Sequence, residues 1–178
     1  MSLIPTTVTY LEMLAPPTGA PVAPPHDGVS LVHARRPPIG YYRWLYESVG
    51  APWLWVDRRR LDDAALAAIL DDSRVEVHVA MVDGVPAGYA ELDRREEAAR
   101  GDVELAYFGL MPPFLGRRLG PWLLDAAIRR AFSTATARRL WVHTQTLDHP
   151  KALPLYRALG FVPYKTEEIT VDAQLPGR

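Results

Sequence analysis

Residues Leu140–Tyr164 read LWVHTQTLDHPKALPLYRALGFVPY, and three elements can be marked off in them. RLWVHTQ, over Arg139–Gln145, alternates as a half-buried strand does. Ala152, Leu155, Tyr156 and Leu159 then recur at three- and four-residue spacing on one face of a short helix. Gly160 stops that helix, and Phe161 can fold back over it in the manner of a Schellman cap. FVPYKTEEITV returns the chain to a strand.

Upstream lies a second punctuated stretch, Phe114–Leu124, FLGRRLGPWLL, a glycine turn entering a helix. Leu119, Leu123, Ala127 and Ala131 make the apolar stripe of that helix, read over Arg117–Phe132, with Asp125 and Arg129 as an outward i,i+4 pair. A helix N-terminus gathers unpaired amides and about half a positive charge, so such a turn can cradle phosphate. It can equally serve only to reverse the chain. Before it, VELAYFGLMPP is a strand ending where Pro112 and Pro113 deny ladder donors. From Arg74 the period is two, and Asp83-Gly84 turns one strand tightly into VPAGYAELDR. The charged run DRREEAARGD connects the second of these to VELAYFGL.

IGYYRWLYESVG and LDDAALAAILDD read as two helices joined by the aromatic loop PWLWVDRRR. Residues 15–38 hold seven of the 17 prolines and read as an irregular connection behind a first strand near Thr7–Leu14. The order β-α-α-β-β-β-α-β-α-β describes one α/β domain over residues 1–178, a mixed central sheet flanked by helices.

The chain of 178 residues, 48% hydrophobic and 23% charged, is long enough to bury a core. Twenty Lys+Arg balance 21 Asp+Glu, which leaves no basic field for nucleic acid or an anionic membrane. No cysteine is present, excluding disulfides, thiolate metal sites and a cysteine nucleophile. The five histidines show no HxH or HExxH spacing, so no metal is expected. Without a signal-like start or a long apolar run, a cytoplasmic protein is expected.

The glycine turn and the segment carrying L-Y-x-x-x-G-F resemble the C-terminal half of the GNAT superfamily of acyl-CoA-dependent N-acyltransferases. The resemblance runs over about residues 74–165, and the Tyr156–Phe161 match is its more specific part. It implies a GNAT-like fold and an N-acetyltransferase that moves acetyl from acetyl-CoA to a primary amine. With no cysteine to carry the acetyl group, transfer is direct, in a ternary complex. The loop R/Q-x-x-G-x-G/A falls on Leu115, Gly116, Arg117, Arg118, Leu119 and Gly120 and would hold the pyrophosphate. Leu115 replaces the usual Arg or Gln, and Arg118 the middle glycine. If that position needs positive φ, Arg118 carries a cost of roughly 1 kcal/mol.

Further roles follow from the same resemblance. Tyr156 matches the family tyrosine that acts as general acid, the alternative being a core tyrosine on an amphipathic helix. Glu104 matches a base glutamate, against the alternatives of an exposed strand carboxylate or a water chain. Phe108, Gly109, Leu110 and Met111 would lie along the pantetheine arm, with the Leu110 amide as an oxyanion donor. His149 stands where an asparagine often contacts the cofactor; with Asp148 it could instead cap the short helix. Tyr42 and Trp53, from the aromatic set around the first two helices, are the candidates for contacting the acceptor, the alternative being helix core. The expected partners are a small-molecule or peptide amine and, through paired sheet edges, a homodimer. Two other readings stay open: a non-catalytic acyl-CoA binding or sensing module of the same fold, and a structural interaction protein without cofactor.

Overall fold

Two strands that alternate cleanly and meet at Asp83-Gly84 organise the sheet. Asp83 and Gly84 both take positive φ, 49° and 80°, as a tight hairpin turn requires. The computed structural model describes residues 3–172, and residues 1–2 and 173–178 of the expected domain lie outside the described residues. The elements are β1 (Leu3–Met13), β2 (Val29–His33), α1 (Ile39–Gly50), α2 (Asp63–Leu70), β3 (Val75–Val82) and β4 (Val85–Asp93). They continue as α3 (Glu97–Arg100), β5 (Asp102–Leu110), α4 (Leu119–Ala131), β6 (Arg139–Gln145), α5 (Ala152–Ala158) and β7 (Val162–Asp172). Three 3-10 turns, at Ala51–Trp53, Arg58–Arg60 and Pro112–Phe114, complete the set.

The strands form one seven-stranded sheet in the order β2-β3-β4-β5-β6-β1-β7. Every neighbouring pair is antiparallel except β5 with β6. The expected mixed α/β sheet is therefore present. Among the described residues no helix is long and apolar enough to cross a membrane.

Period two divides β3–β5 into two buried faces. Ala90, Leu92, Val103 and Leu105 pack with α4 and α5 in one cluster. Val77, Val79 and Tyr89 pack with Tyr42, Leu45, Tyr46 and Val49 of α1 and Leu66 and Leu70 of α2 in the other. Asp62 caps α2 through the Ala65 amide at 2.8 Å.

Three readings of the sequence are corrected. The stretch 15–38 is not irregular throughout: VSLVH forms β2, paired along β3 from Val29↔Val82 to His33↔His78. Flanking prolines mask so short a strand, and β3 supplies the ladder that makes it one. The charged run before β5 contains the single-turn helix α3. Asp125 and Arg129 do not face solvent; Asp125 is buried, and its Oδ2 accepts from Arg129 Nε at 2.9 Å and from the Val22 amide at 3.0 Å. Arg129 also donates to the Gly19 carbonyl at 2.8 Å, so the pair pins the proline-rich segment onto α4.

Candidate functional site

β5 and β6 stay in register over only three residue pairs, from Asp102↔Arg139 to Glu104↔Trp141. Beyond them the strands diverge, and β5 keeps its ladder only to β4. A cavity of about 1070 Å³ opens at the divergence, lined by Tyr107–Leu110 of β5 and Val142, His143 and Gln145 of β6. The N-terminus of α4 closes one end of it and Tyr156 of α5 lies on its wall.

The loop into α4 is built from two left-handed residues, Gly116 at φ 76° and Arg118 at φ 61°. Positive φ at Arg118 is thus required, and a non-glycine residue bears its cost there. Arg118 is the N-cap of α4 and makes no side-chain cap bond, so the first helical amides face outward without an intrahelical acceptor. Pro121 contributes no amide, which leaves Leu119 and Gly120 as the donors of the first turn. Leu115, Gly116, Arg118, Leu119 and Gly120 all line the cavity. The Arg117 guanidinium instead lies over the Phe114 ring, 5.2 Å from its centroid.

Phe108 and Leu110 turn towards α4 and α5, and Phe108 meets the Tyr156 ring at 6.0 Å. Gly109 faces α1: a Cβ there would lie 2.5 Å from Val49 Cγ1, so the glycine lets the helix approach the strand. Met111 does not join this group. Its side chain is buried with α1 and its amide donates to the Ala87 carbonyl at 2.8 Å, which makes it a core anchor for the end of β5 rather than a cofactor contact.

Tyr156 is 4% exposed, between Phe108 and Phe161. Burial, reinforced by the nearby Asp148 charge, pushes its phenol well above the usual range. Glu104 lies on the opposite face, beside Asp93 in register and with His143 Nδ1 3.9 Å from its Oε1. Burial, then the negative charges of Asp93 and Glu91, push its carboxyl up to about 7 against the pull of Arg58 and Arg95.

The aromatic candidates separate. Tyr42 is fully buried and donates to Glu91, whose carboxylate also takes Arg58 at 2.6 Å. It is a core residue, unable to meet an acceptor; helical spacing alone does not tell an inward from an outward aromatic. Trp53 does line the cavity, its ring edge-on to His149 at 4.9 Å. His149 lines it too, and its Nδ1 accepts the Lys151 amide at 3.1 Å ahead of α5. Asp148 is more than a cap: Oδ2 takes Thr144 Oγ1 at 2.8 Å and the Gln145 amide at 2.9 Å, while Oδ1 takes Trp55 Nε1 at 3.3 Å. This carboxylate ties the loop after α1 to the loop after β6 across the cavity. Sequence spacing does not pair Trp55 with Asp148, because their meeting depends on the strand order. The repeated tryptophans of PWLWV were the available signal.

One cluster lies apart. His33, Glu76 and His78 bring potential ligand atoms within 4.8 Å of one another. Glu76 is already engaged by His78 at 2.7 Å, Arg94 at 2.9 Å and Arg130 at 2.8 Å, so a cation there would have to displace guanidinium groups. Its partners hold its carboxyl below the usual range although burial alone would raise it.

A model of the acetyltransferase (GNAT) family matches residues 40–161. Among curated proteins no sequence relative is found. A GCN5-related N-acetyltransferase from Sphaerobacter thermophilus shares the fold at a TM-score of 0.63 and 17% identity, over 93% of this chain and 50% of that one. A tandem GNAT protein from the clavulanic acid biosynthesis pathway matches at 0.61 and 20% identity, over 97% of this chain and 55% of that one. The aminoglycoside N-acetyltransferase AAC(6')-Iy, solved with CoA, matches at 0.56 and 24% identity, over 83% of this chain and 95% of that one. The chain spans about half the length of the first two structures.

Proposed function

Because the chain belongs to the acetyltransferase (GNAT) family, we propose that it is an N-acetyltransferase that moves an acetyl group from acetyl-CoA to a primary amine directly, within a ternary complex. One observation carries this reading: the gap between β5 and β6 has the outward amides of α4 at one end and a buried phenol on its wall. The edge of β5 along Phe108–Leu110 offers backbone partners to the amides of a pantetheine arm. Leu115–Gly120 offer the pyrophosphate a turn of amides with the Arg118 charge beside it, and Arg117 a second cation if it leaves Phe114. His149 and Trp53 flank the opening. Among backbone donors, the Leu110 amide is assigned to the oxyanion.

The chemistry asks three things of the protein. An ammonium must lose a proton before its nitrogen can attack the thioester carbonyl, and a carboxyl poised at about 7 divides its population between acid and base near neutrality. Glu104 takes that proton directly or through water. The nitrogen adds to the carbonyl to give a tetrahedral oxyanion, which collapses as the nitrogen sheds its second proton to solvent and the C–S bond breaks, the electron pair leaving with sulfur as a thiolate. Tyr156, its phenol kept protonated by burial, supplies the thiolate with a proton and recovers one from solvent. The products are the N-acetylamine and free CoA.

Calorimetry with CoA and acetyl-CoA, followed by thiol release across a panel of amines, tests the proposal. Binding with amine-dependent thiol release is the expected result. Binding without release in any amine would make the chain an acyl-CoA binding module. No binding at millimolar ligand would overturn the cofactor altogether.

A further inference from the structure

The two faces of the sheet are not covered alike. α1 and α2 make their main contacts with β3, β4 and β5. On the same side, farther along, β6, β1 and β7 present an aromatic surface to solvent. The register places Tyr10 opposite His143 and Glu12 opposite Trp141. The Tyr10 ring then lies 6.4 Å from Trp141, 5.8 Å from His143 and 6.2 Å from Tyr164, so four rings from three strands form one continuous platform. His143 and Tyr164 are exposed, and Tyr10 and Trp141 are half-buried.

This platform runs into the site. Tyr10 and His143 line the cavity. Trp141 is the register partner of Glu104, whose carboxylate lies 3.9 Å from His143. The outer charges are already matched within the chain. Arg139 binds Glu12 at 2.6 Å and Asp102 at 3.2 Å, and its guanidinium lies 4.9 Å above the Tyr164 ring. Lys165 pairs with Glu167 and lies 5.0 Å above the Tyr10 ring. An acceptor with several cationic groups would find Glu12, Asp102 and Glu167 already engaged by those two cations. An acceptor with one amine and an apolar ring finds a carboxylate at the inner end and aromatic surface leading out from it.

We propose that the acceptor is an arylalkylamine, its ring on the Tyr10–Trp141–Tyr164 platform and its amine at Glu104. This rests on the N-acetyltransferase reading and adds the substrate class. The face takes a partner of that chemistry because Tyr10 and His143 carry the aromatic surface into the cavity, the Glu104 carboxylate lies beside His143, and the other carboxylates along the platform already hold Arg139 or Lys165.

The test is thiol release by the full chain with acetyl-CoA and four acceptors: ethylamine, phenethylamine, spermidine and an aminoglycoside. Phenethylamine is expected to exceed ethylamine in kcat/KM by about tenfold or more, the scale of one good aromatic contact. Trp141→Ala and Tyr164→Ser should each cut that ratio severalfold, chiefly through the amine KM. Tyr164 lies on the exposed edge strand, so its variant remains informative if Trp141→Ala fails to fold. A ratio unchanged in both folded variants, or preference for spermidine or the aminoglycoside, overturns the inference while the acetyltransferase reading stands. A Tyr164→Ser change that dissociates a dimer in sedimentation without moving the amine KM assigns the face to a second copy and also overturns it. If no amine is acetylated, the reading beneath it fails as well.

Discussion

Glu104 and Tyr156 divide the proposed chemistry because the fold sets their protons at opposite ends of the scale. Glu104 is a carboxyl raised to about 7 by burial and by Asp93 and Glu91, so it is largely protonated below that pH and charged above it. If it is the base, kcat falls about tenfold for each pH step below 7 and levels off above it. Glu104→Gln should remove that limb and leave any later limb due to ionisation of the amine itself. A limb at the same pH in the variant would assign the proton transfer to water or another group. Tyr156 is buried and keeps its proton, as a donor to a thiolate must. Tyr156→Phe preserves the packing against Phe108 and Phe161, so kcat should fall by about 100-fold or more while CoA affinity measured by calorimetry barely moves. Equal losses in kcat and affinity would make the hydroxyl a binding group.

The loop before α4 shows how far an element can depart from a motif and keep its geometry. Arg118 holds the left-handed angle that glycine would adopt freely. Arg118→Gly removes about 1 kcal/mol of strain but adds about 0.5–1 kcal/mol of unfolded-chain entropy, so thermal stability should change little. CoA binding reads the side chain instead: loss of a charge-assisted contact should raise Kd about tenfold at low salt, and less at high salt. Unchanged affinity would show that the arginine merely tolerates its angle. Elements of this kind were legible because loop, helix stripe and stop glycine are written consecutively. β2 was not, since five residues between prolines become a strand only by pairing with β3. Tyr42 lies on the helix its spacing predicts, and of its two open readings, acceptor contact and helix core, the fold selects the core, because three- and four-residue spacing defines a stripe without saying which partner covers it. Asp148 with Trp55, and Tyr10 with Trp141, come from distant parts of the chain and meet through a sheet order that sequence spacing does not contain.

Across the whole molecule, buried carboxyls of opposite tendency shape stability with pH. Glu76 joins β3 to Arg94 beyond β4 and to Arg130 of α4, and Arg94 continues to Glu97 of α3 at 2.7 Å. Hydrogen bonds and arginine charge hold the carboxyls of Glu76 and Glu97 below their ordinary values despite burial. Their contribution is complete above the unfolded carboxyl pKa, near 4.5, and is lost as pH falls below it. Glu104 acts in the opposite direction. Its folded pKa, about 7, exceeds its unfolded value of 4.5, so charging it in the fold costs stability as pH rises from 4.5 to 7. Maximum stability should therefore lie on the acid side of neutrality, near pH 5. Calorimetric melting from pH 3 to 9 tests this, and two variants separate the limbs. Glu104→Gln should raise Tm at pH 8 and leave it unchanged at pH 4. Glu76→Gln leaves Arg94 buried with one carboxylate fewer and should cost about 3–5 kcal/mol at pH 7, with a smaller loss at pH 3, where the parent has already lost part of the same interaction. Parallel pH curves for parent and Glu76→Gln would place the acid limb elsewhere in the sheet.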